Sequence, residues 1–144
     1  MLRPTSRSRV ARIKPSVGLP SEDAEMSNVT ESLAQLVELA GARSAALVDS
    51  SSGMILSHAG SDAGLEIMAA ANTEVVRAQL KSLGTLGSKD EIDDILITLS
   101  TQYDIVRPLA ANPSIFLYLA MDKNKSNLAM ARYKVAECEK QLEL

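Results

Sequence analysis

The sequence predicts an α+β fold: one five-stranded antiparallel sheet with helices on both faces, in the order α-β-β-α-β-β-β-α. Three observations predict it. The run "IFLYLAM" (115–121) is apolar at every position, which a strand tolerates only when both of its faces are covered. Segments with helical spacing of apolar residues alternate with short strand-like runs, and turn residues separate them. The chain has 144 residues, 46% of them hydrophobic but only 3% aromatic. That length suits one domain, and its core has to be built from Leu, Ile, Val, Ala and Met.

The first helix is expected to start near Met26. Asn28 is read as its N-cap, with Glu31 three residues on as a capping-box partner. Leu33, Leu36, Val37 and Ala40 recur at helical spacing, and Gly41 stops the helix. "SAALVDS" (44–50) and "GMILSH" (53–58) read as two strands joined by the polar turn "DSSSG". Residues 63–81 form a second helix, and Gly84, Gly87, Ser88 and Lys89 mark a loop. "EIDDILITL" (91–99) is read as the third strand, alternating through Ile95, Ile97 and Leu99. Ser100, Thr101 and Gln102 turn the chain into "YDIVRPL" (103–109), where Pro108 marks the exit. "AANPS" turns it again into the apolar strand.

The last helix is expected to run from near Asn124 to the end. Leu128, Ala131, Val135, Cys138 and Leu142 form one stripe for the sheet, while Lys134, Glu137, Lys140 and Gln141 point outward. Cys138 on that stripe reads as a small buried hydrophobe. Arg132 either caps an acidic strand end or is solvated.

Charge divides the chain in two. Residues 1–21 hold Arg3, Arg7, Arg9, Arg12 and Lys14 and no acid, which leaves 10 of the 15 basic residues against all 18 acids, a net −8. Residues 1–25, with Pro4, Pro15 and Pro20 and no apolar period, read as a disordered basic tail, and residues 26–144 as the domain. The acid-free, Arg- and Ser-rich start resembles a mitochondrial transit peptide. It also fits an extension upstream of a start at Met26, or a basic arm for an acidic partner or anionic lipid.

Several chemistries lack their parts. No G-x-x-x-x-G-K-[ST] motif exists, since "GSKD" at Gly87 has neither the leading glycine spacing nor the Lys-Ser/Thr pair. Asp93 and Asp94, adjacent on a strand, point to opposite faces and cannot act as an acid/base pair. Glu91, Asp93 and Asp94 read as a solvated strand start that discourages edge aggregation. His58, the one histidine, reads as an exposed loop residue. With one His and one Cys there is no His/Cys zinc site, and the single Cys fits a reducing, cytoplasmic compartment. No run approaches a membrane span, and an acidic domain with few aromatics disfavours nucleic acid. No cofactor, metal or catalytic residue is expected, and an enzyme is not.

The second helix, "LEIMAAANTEVVRAQLK" (65–81), carries two apolar stripes. Leu65, Met68, Ala69, Val76 and Leu80 make one. Ile67, Ala70, Ala71, Val75 and Ala78 make the other, where an ordinary surface helix is charged. This predicts a helix that meets its own sheet on one side and a second copy of the chain on the other.

"ALVDSSSGMIL" (46–56), the three-strand block ending "IFLYLAMDKNKSNLAMAR" (115–132) and the helix order resemble the Roadblock / dynein light-chain family, and within it the bacterial MglB type. The resemblance covers about residues 28–142. It implies a profilin-like sandwich, homodimerisation through the second helix and third strand, and regulation of a small Ras-like GTPase, with a scaffold joining larger assemblies as the alternative and a small-ligand sensor as a third. The interface residues so implied are Ile67, Ala70, Ala71, Glu74, Val75, Ala78, Ile95 and Ile97. Neither Arg43 nor Arg77 stands out as an arginine finger; both read as solvated or salt-bridged.

A chain beginning at Met26 is expected to fold and self-associate like the full chain, because residues 1–25 show no buried period. Thermal melting and light scattering of the two chains test this; aggregation or a much lower melting point for the shorter one would make the tail structural.

Overall fold

The computed structural model describes residues 22–142. Eight elements follow in the expected order: α1 (Glu22–Leu36), β1 (Ala42–Asp49), β2 (Met54–Gly60), α2 (Leu65–Thr85), β3 (Ile95–Thr98), β4 (Gln102–Pro108), β5 (Ile115–Asp122) and α3 (Leu128–Gln141). The strands form one sheet, β2-β1-β5-β4-β3, antiparallel at every pairing. β5 is central, and each residue from Phe116 to Met121 is 0% exposed.

The register sorts the side chains into two cores. Ala45 and Leu47 of β1, Ile105 of β4 and Leu117, Leu119 and Met121 of β5 point to one face, where Val29 and Leu33 of α1 and Ala131, Val135 and Cys138 of α3 cover them. Ala46, Val48, Val106, Phe116, Tyr118 and Ala120 point to the other face, under Leu65, Ala69 and Val76 of α2. The period of two along each strand and the 3.6 period along each helix thus meet in both layers.

Helix ends differ from the sequence reading at several points. α1 begins at Glu22 and runs through Asn28, which therefore lies inside the helix and does not cap it. No Gly or Pro interrupts residues 22–28, so nothing stops the helix from starting earlier. Residues 1–21, most of the expected disordered tail, lie outside the described residues. α1 also stops at Leu36, and turns carry the chain to Gly41, leaving Ala40 exposed. α2 runs on to Thr85 and includes Gly84, expected in the loop. α3 starts at Leu128, later than Asn124, because Asp122 folds the intervening residues into a turn: its Oδ1 accepts from the Asn124 N–H at 2.9 Å. Asn127 then caps the helix, its Oδ1 accepting from the Met130 N–H at 3.0 Å.

Gly41 belongs to the same corner. Its φ is +83°, and a Cβ there would lie 2.8 Å from Ser126 Oγ and 2.9 Å from the Lys125 carbonyl carbon. Only glycine permits both the left-handed backbone and this approach. Gly53, with φ +77°, closes the β1–β2 hairpin, its N–H donating to the Asp49 carbonyl at 2.7 Å. The Asp49 carboxylate meanwhile accepts from the Ser51 N–H at 2.9 Å, so the turn that joins the hairpin is fixed from inside.

β3 is the largest correction. It spans four residues, Ile95–Thr98, and not the nine of 91–99. The reason lies on its neighbour. Leu99 donates to the Gln102 carbonyl at 2.8 Å, which makes Leu99–Gln102 a hydrogen-bonded pair. Antiparallel alternation then makes Ile97–Asp104 and Ile95–Val106 the next two such pairs. The following one would set Asp93 against Pro108, which has no N–H. The ladder ends where its donor is missing, and Glu91, Asp93 and Asp94 lie before the strand, not on it.

Leu119 tests the core. It is 0% exposed at the centre of the α1/α3 layer, and Leu119→Ala is expected to cost about 2–5 kcal/mol in denaturant unfolding. A loss below about 1 kcal/mol would contradict this burial.

Candidate functional site

Along α2, Leu65, Ala69, Asn72, Thr73 and Val76 are buried toward the sheet, and Met68 and Leu80 pack beside them. The expected inner stripe is therefore the one that packs; Asn72 and Thr73 join it unforeseen. Thr73 satisfies its hydroxyl internally, donating to the Ala69 carbonyl at 2.8 Å. On the opposite side Ile67 is 74% exposed, Ala70, Ala71, Glu74 and Ala78 are exposed, and Val75 is half-buried. Ile67, Ala71, Glu74 and Ala78 recur at spacings of four, three and four, so they lie along one line of the helix. Its one charge, Glu74, is paired along the helix with Arg77 at 3.6 Å.

Ile95 and Ile97 are half-buried on the same side of the sheet as α2, because they pair with Val106 and Asp104, which point there. Ile95 packs against the α2 core itself. The two groups of expected interface residues thus share one side of the molecule. Leu96 and Thr98 point to the other side, but their N–H and C=O groups face outward from the sheet edge, since Ile95 and Ile97 hold the bonds to β4.

The sheet's two edges are unlike. β2 carries a bulge opposite Leu47 and Val48, is packed by α1, and is tied to it by a hydrogen bond of 2.9 Å between Thr30 and Ser57. These are recognised protections of an edge. β3 has a regular register, no Lys and no Pro, and packs chiefly on β4. Its edge is open.

One polar feature was not anticipated. Asp104, 0% exposed, points into the α2 face. Its Oδ1 accepts from the Tyr118 hydroxyl at 3.0 Å and from Gln102 Nε2 at 2.7 Å. Gln102 Oε1 in turn accepts from Arg43 Nη1 at 2.7 Å, and Arg43 also lies 3.6 Å from Asp122. A surface cation is linked to a buried anion through one amide. Burial, with Asp104 adding to it, pushes the Tyr118 phenol well above its ordinary value. A single Asp in "YDIVRPL" was the available signal.

The other singled-out residues fall apart in space. His58 is exposed on β2. Asp94 pairs with Arg132: Nε donates to Oδ2 at 2.9 Å and Nη2 to Oδ1 at 3.0 Å, which decides between the two readings of that arginine. Cys138 is 4% exposed, and burial, with a smaller contribution from Glu139, lifts its thiol from 9.0 to about 11. Among the described residues no group of three or more His, Cys, Asp or Glu could hold a metal ion, and no helix is long and apolar enough to cross a membrane. An open groove of about 500 Å³ runs between α1 and α3 past Leu36, Leu39 and Tyr133.

Comparison with known proteins finds no matching family model and no matching curated protein. Solved structures match. MglB of Myxococcus xanthus superposes with a TM-score of 0.70 at 18% identity, over 82% of this chain and 94% of that one. A Roadblock/LC7 domain from Streptomyces avermitilis gives 0.65 at 18% identity, over 77% and 91%. An MglB described as having a tetrameric arrangement gives 0.69 at 20% identity, over 90% and 94%. The fold is the Roadblock fold.

Tyr118→Phe is expected to cost about 1–3 kcal/mol, because it removes one of the two donors to the buried Asp104. The raised values of Cys138 and Tyr118 also set an alkaline limit. Their neutral forms stabilise the fold fully below pH 9 and 10. The unfolded chain then loses those protons first, so stability falls as pH rises, from about 9 for Cys138 and from about 10 for Tyr118. Unfolding measured from pH 8 to 11 in the wild type and Tyr118→Phe checks this: the variant should lose only the second part of the decline.

Proposed function

We propose that this protein is a non-enzymatic, cytoplasmic homodimer that regulates a small Ras-like GTPase. The observation that carries the reading is the outer line of α2, where Ile67, 74% exposed, Ala71 and Ala78 are apolar and Glu74 is the one charge among them. The Roadblock fold and the resemblance of "ALVDSSSGMIL" and "NLAMAR" to that family support it.

The face is self-complementary. If two α2 helices cross antiparallel about a two-fold axis at Ala71, Ala71 meets its copy and Ile67 meets Val75, since both lie four residues from the axis. Ala70 and Ala78 keep the crossing close. The same kind of axis, normal to the sheet, pairs β3 antiparallel with its copy. Leu96 and Thr98 then supply the ladder, while Ile95 and Ile97 line the α2 side of the seam. Such a dimer presents one composite surface to the GTPase. Among the described residues each arginine has a partner in its own chain: Arg43 is held by Gln102 and Asp122, Arg77 lies beside Glu74, Arg107 binds Glu139 and Arg132 binds Asp94. This pairing favours positioning of the GTPase's own groups over a finger supplied from the described residues.

Ala71→Glu is expected to give a folded monomer, because it sets two unpaired carboxylates against each other in an apolar seam and lies off the buried stripe. Light scattering reads the mass; a variant that stays dimeric sinks the seam. Hydrogen exchange supplies a separate reading. The Leu96 and Thr98 amides should be protected in the dimer and exchange freely in Ala71→Glu, whereas Ile95 and Ile97 remain bonded to β4 in both. Binding to a candidate GTPase loaded with GTP or GDP then separates a regulator, which prefers one state, from a scaffold, which prefers neither.

A further inference from the structure

We propose that Arg132 is a positioning residue for self-association: by clamping Asp94 it holds the start of β3 extended for pairing with a second copy of the chain. The inference rests on the homodimer reading above and adds to it a residue on the far side of the sheet.

β3 needs such a device. It has four residues and only β4 beside it. It follows nine residues, 86–94, that form neither helix nor strand. Pro108 offers no N–H where the ladder would continue to Asp93, so the backbone bonds to β4 stop at Ile95. One residue further back, the guanidinium of Arg132 takes over. Its two bonds to Asp94, 2.9 and 3.0 Å, have the parallel fork geometry in which arginine fixes a carboxylate in both position and orientation. The Asp94 side chain is only 11% exposed while that of Arg132 is 52% exposed, so the held partner is the one attached to the strand.

The location gives the pair its role. α3 packs on the α1 side of the sheet, away from α2. Arg132 thus supports the edge strand from behind and takes no part in the α2 seam. A half-exposed ion pair adds little to folding stability. An edge strand, however, has to be ordered before another strand can pair with it, and any disorder in the free chain is subtracted from the strength of association. Asp90, Glu91 and Asp93 precede the clamped carboxylate in the chain, so without Arg132 this run of acids favours a looser, more solvated segment.

The test uses the full chain and three variants: Arg132→Ala, Asp94→Asn and the exchanged pair Arg132→Asp with Asp94→Arg. Sedimentation over a range of concentrations gives the dimer dissociation constant, and hydrogen exchange gives the opening of β3. Both single variants should weaken self-association about tenfold or more and speed exchange at Ile95 and Ile97, with β5 amides and the thermal midpoint nearly unchanged. The exchanged pair should recover most of the association. Single variants that dimerise like the wild type overturn the clamp. So does a loss that the exchanged pair does not repair, which would assign Arg132 a direct contact with the partner chain. A wild type that is monomeric overturns the homodimer reading, and the clamp's role in it, by a result visible before any variant is made.

Discussion

The fold depends on one constraint: β5 has no side that faces water. Six successive residues, Phe116 to Met121, are fully buried. A strand of that composition has to lie between neighbours and between layers. β1 and β4 flank it, α1 and α3 close one face, and α2 closes the other. Because α2 covers its face alone, all of its inner residues are committed to the sheet. Its outer line can then be chosen for another purpose without cost to the core, and there the sequence places Ile67, Ala71 and Ala78.

Asp104 runs against this economy, being a carboxyl group in an apolar layer with Oδ2 left without a partner among the described residues. Such groups rarely add stability. Its neighbours show what it does organise. Tyr118 of β5, Gln102 of β4 and, through Gln102, Arg43 of β1 converge on it, so three adjacent strands are tied at one end of the sheet. The same end carries the β3–β4 hairpin, whose outer strand is the open edge. Strand alignment there is set by directional bonds, which tolerate less slippage than aliphatic packing.

What could be read from the residues follows a physical division. Periodicity identified all eight elements and the central strand, and the two stripes of α2 separated as expected, because burial acts on every third or fourth residue and leaves a repeated mark. Ends left fainter marks. β3 was read as 91–99 because "EIDDILITL" alternates, yet its length is decided by Pro108 on another strand, and pairing partners are not adjacent in sequence. The last helix was read as starting near Asn124, and Asn127 three residues later is its cap. Arg132 with Asp94 and the links around Asp104 join residues distant along the chain, so no window contains both halves. The exposed apolar residues on α2 were legible for the opposite reason: an apolar side chain with nothing of its own chain to cover it stands out against a helix period.

Pro108 carries a consequence of another kind. By ending the ladder at Ile95 it leaves an edge whose outward groups come from Leu96 and Thr98 alone. Segments that stack into cross-β fibrils run to six or seven residues of uninterrupted pairing. The exposed tract here is shorter and is preceded by the acids of 90–94, whose repulsion opposes in-register stacking of many identical chains. One missing hydrogen thus keeps the open tract of this edge shorter than the uninterrupted pairing that amyloid growth needs.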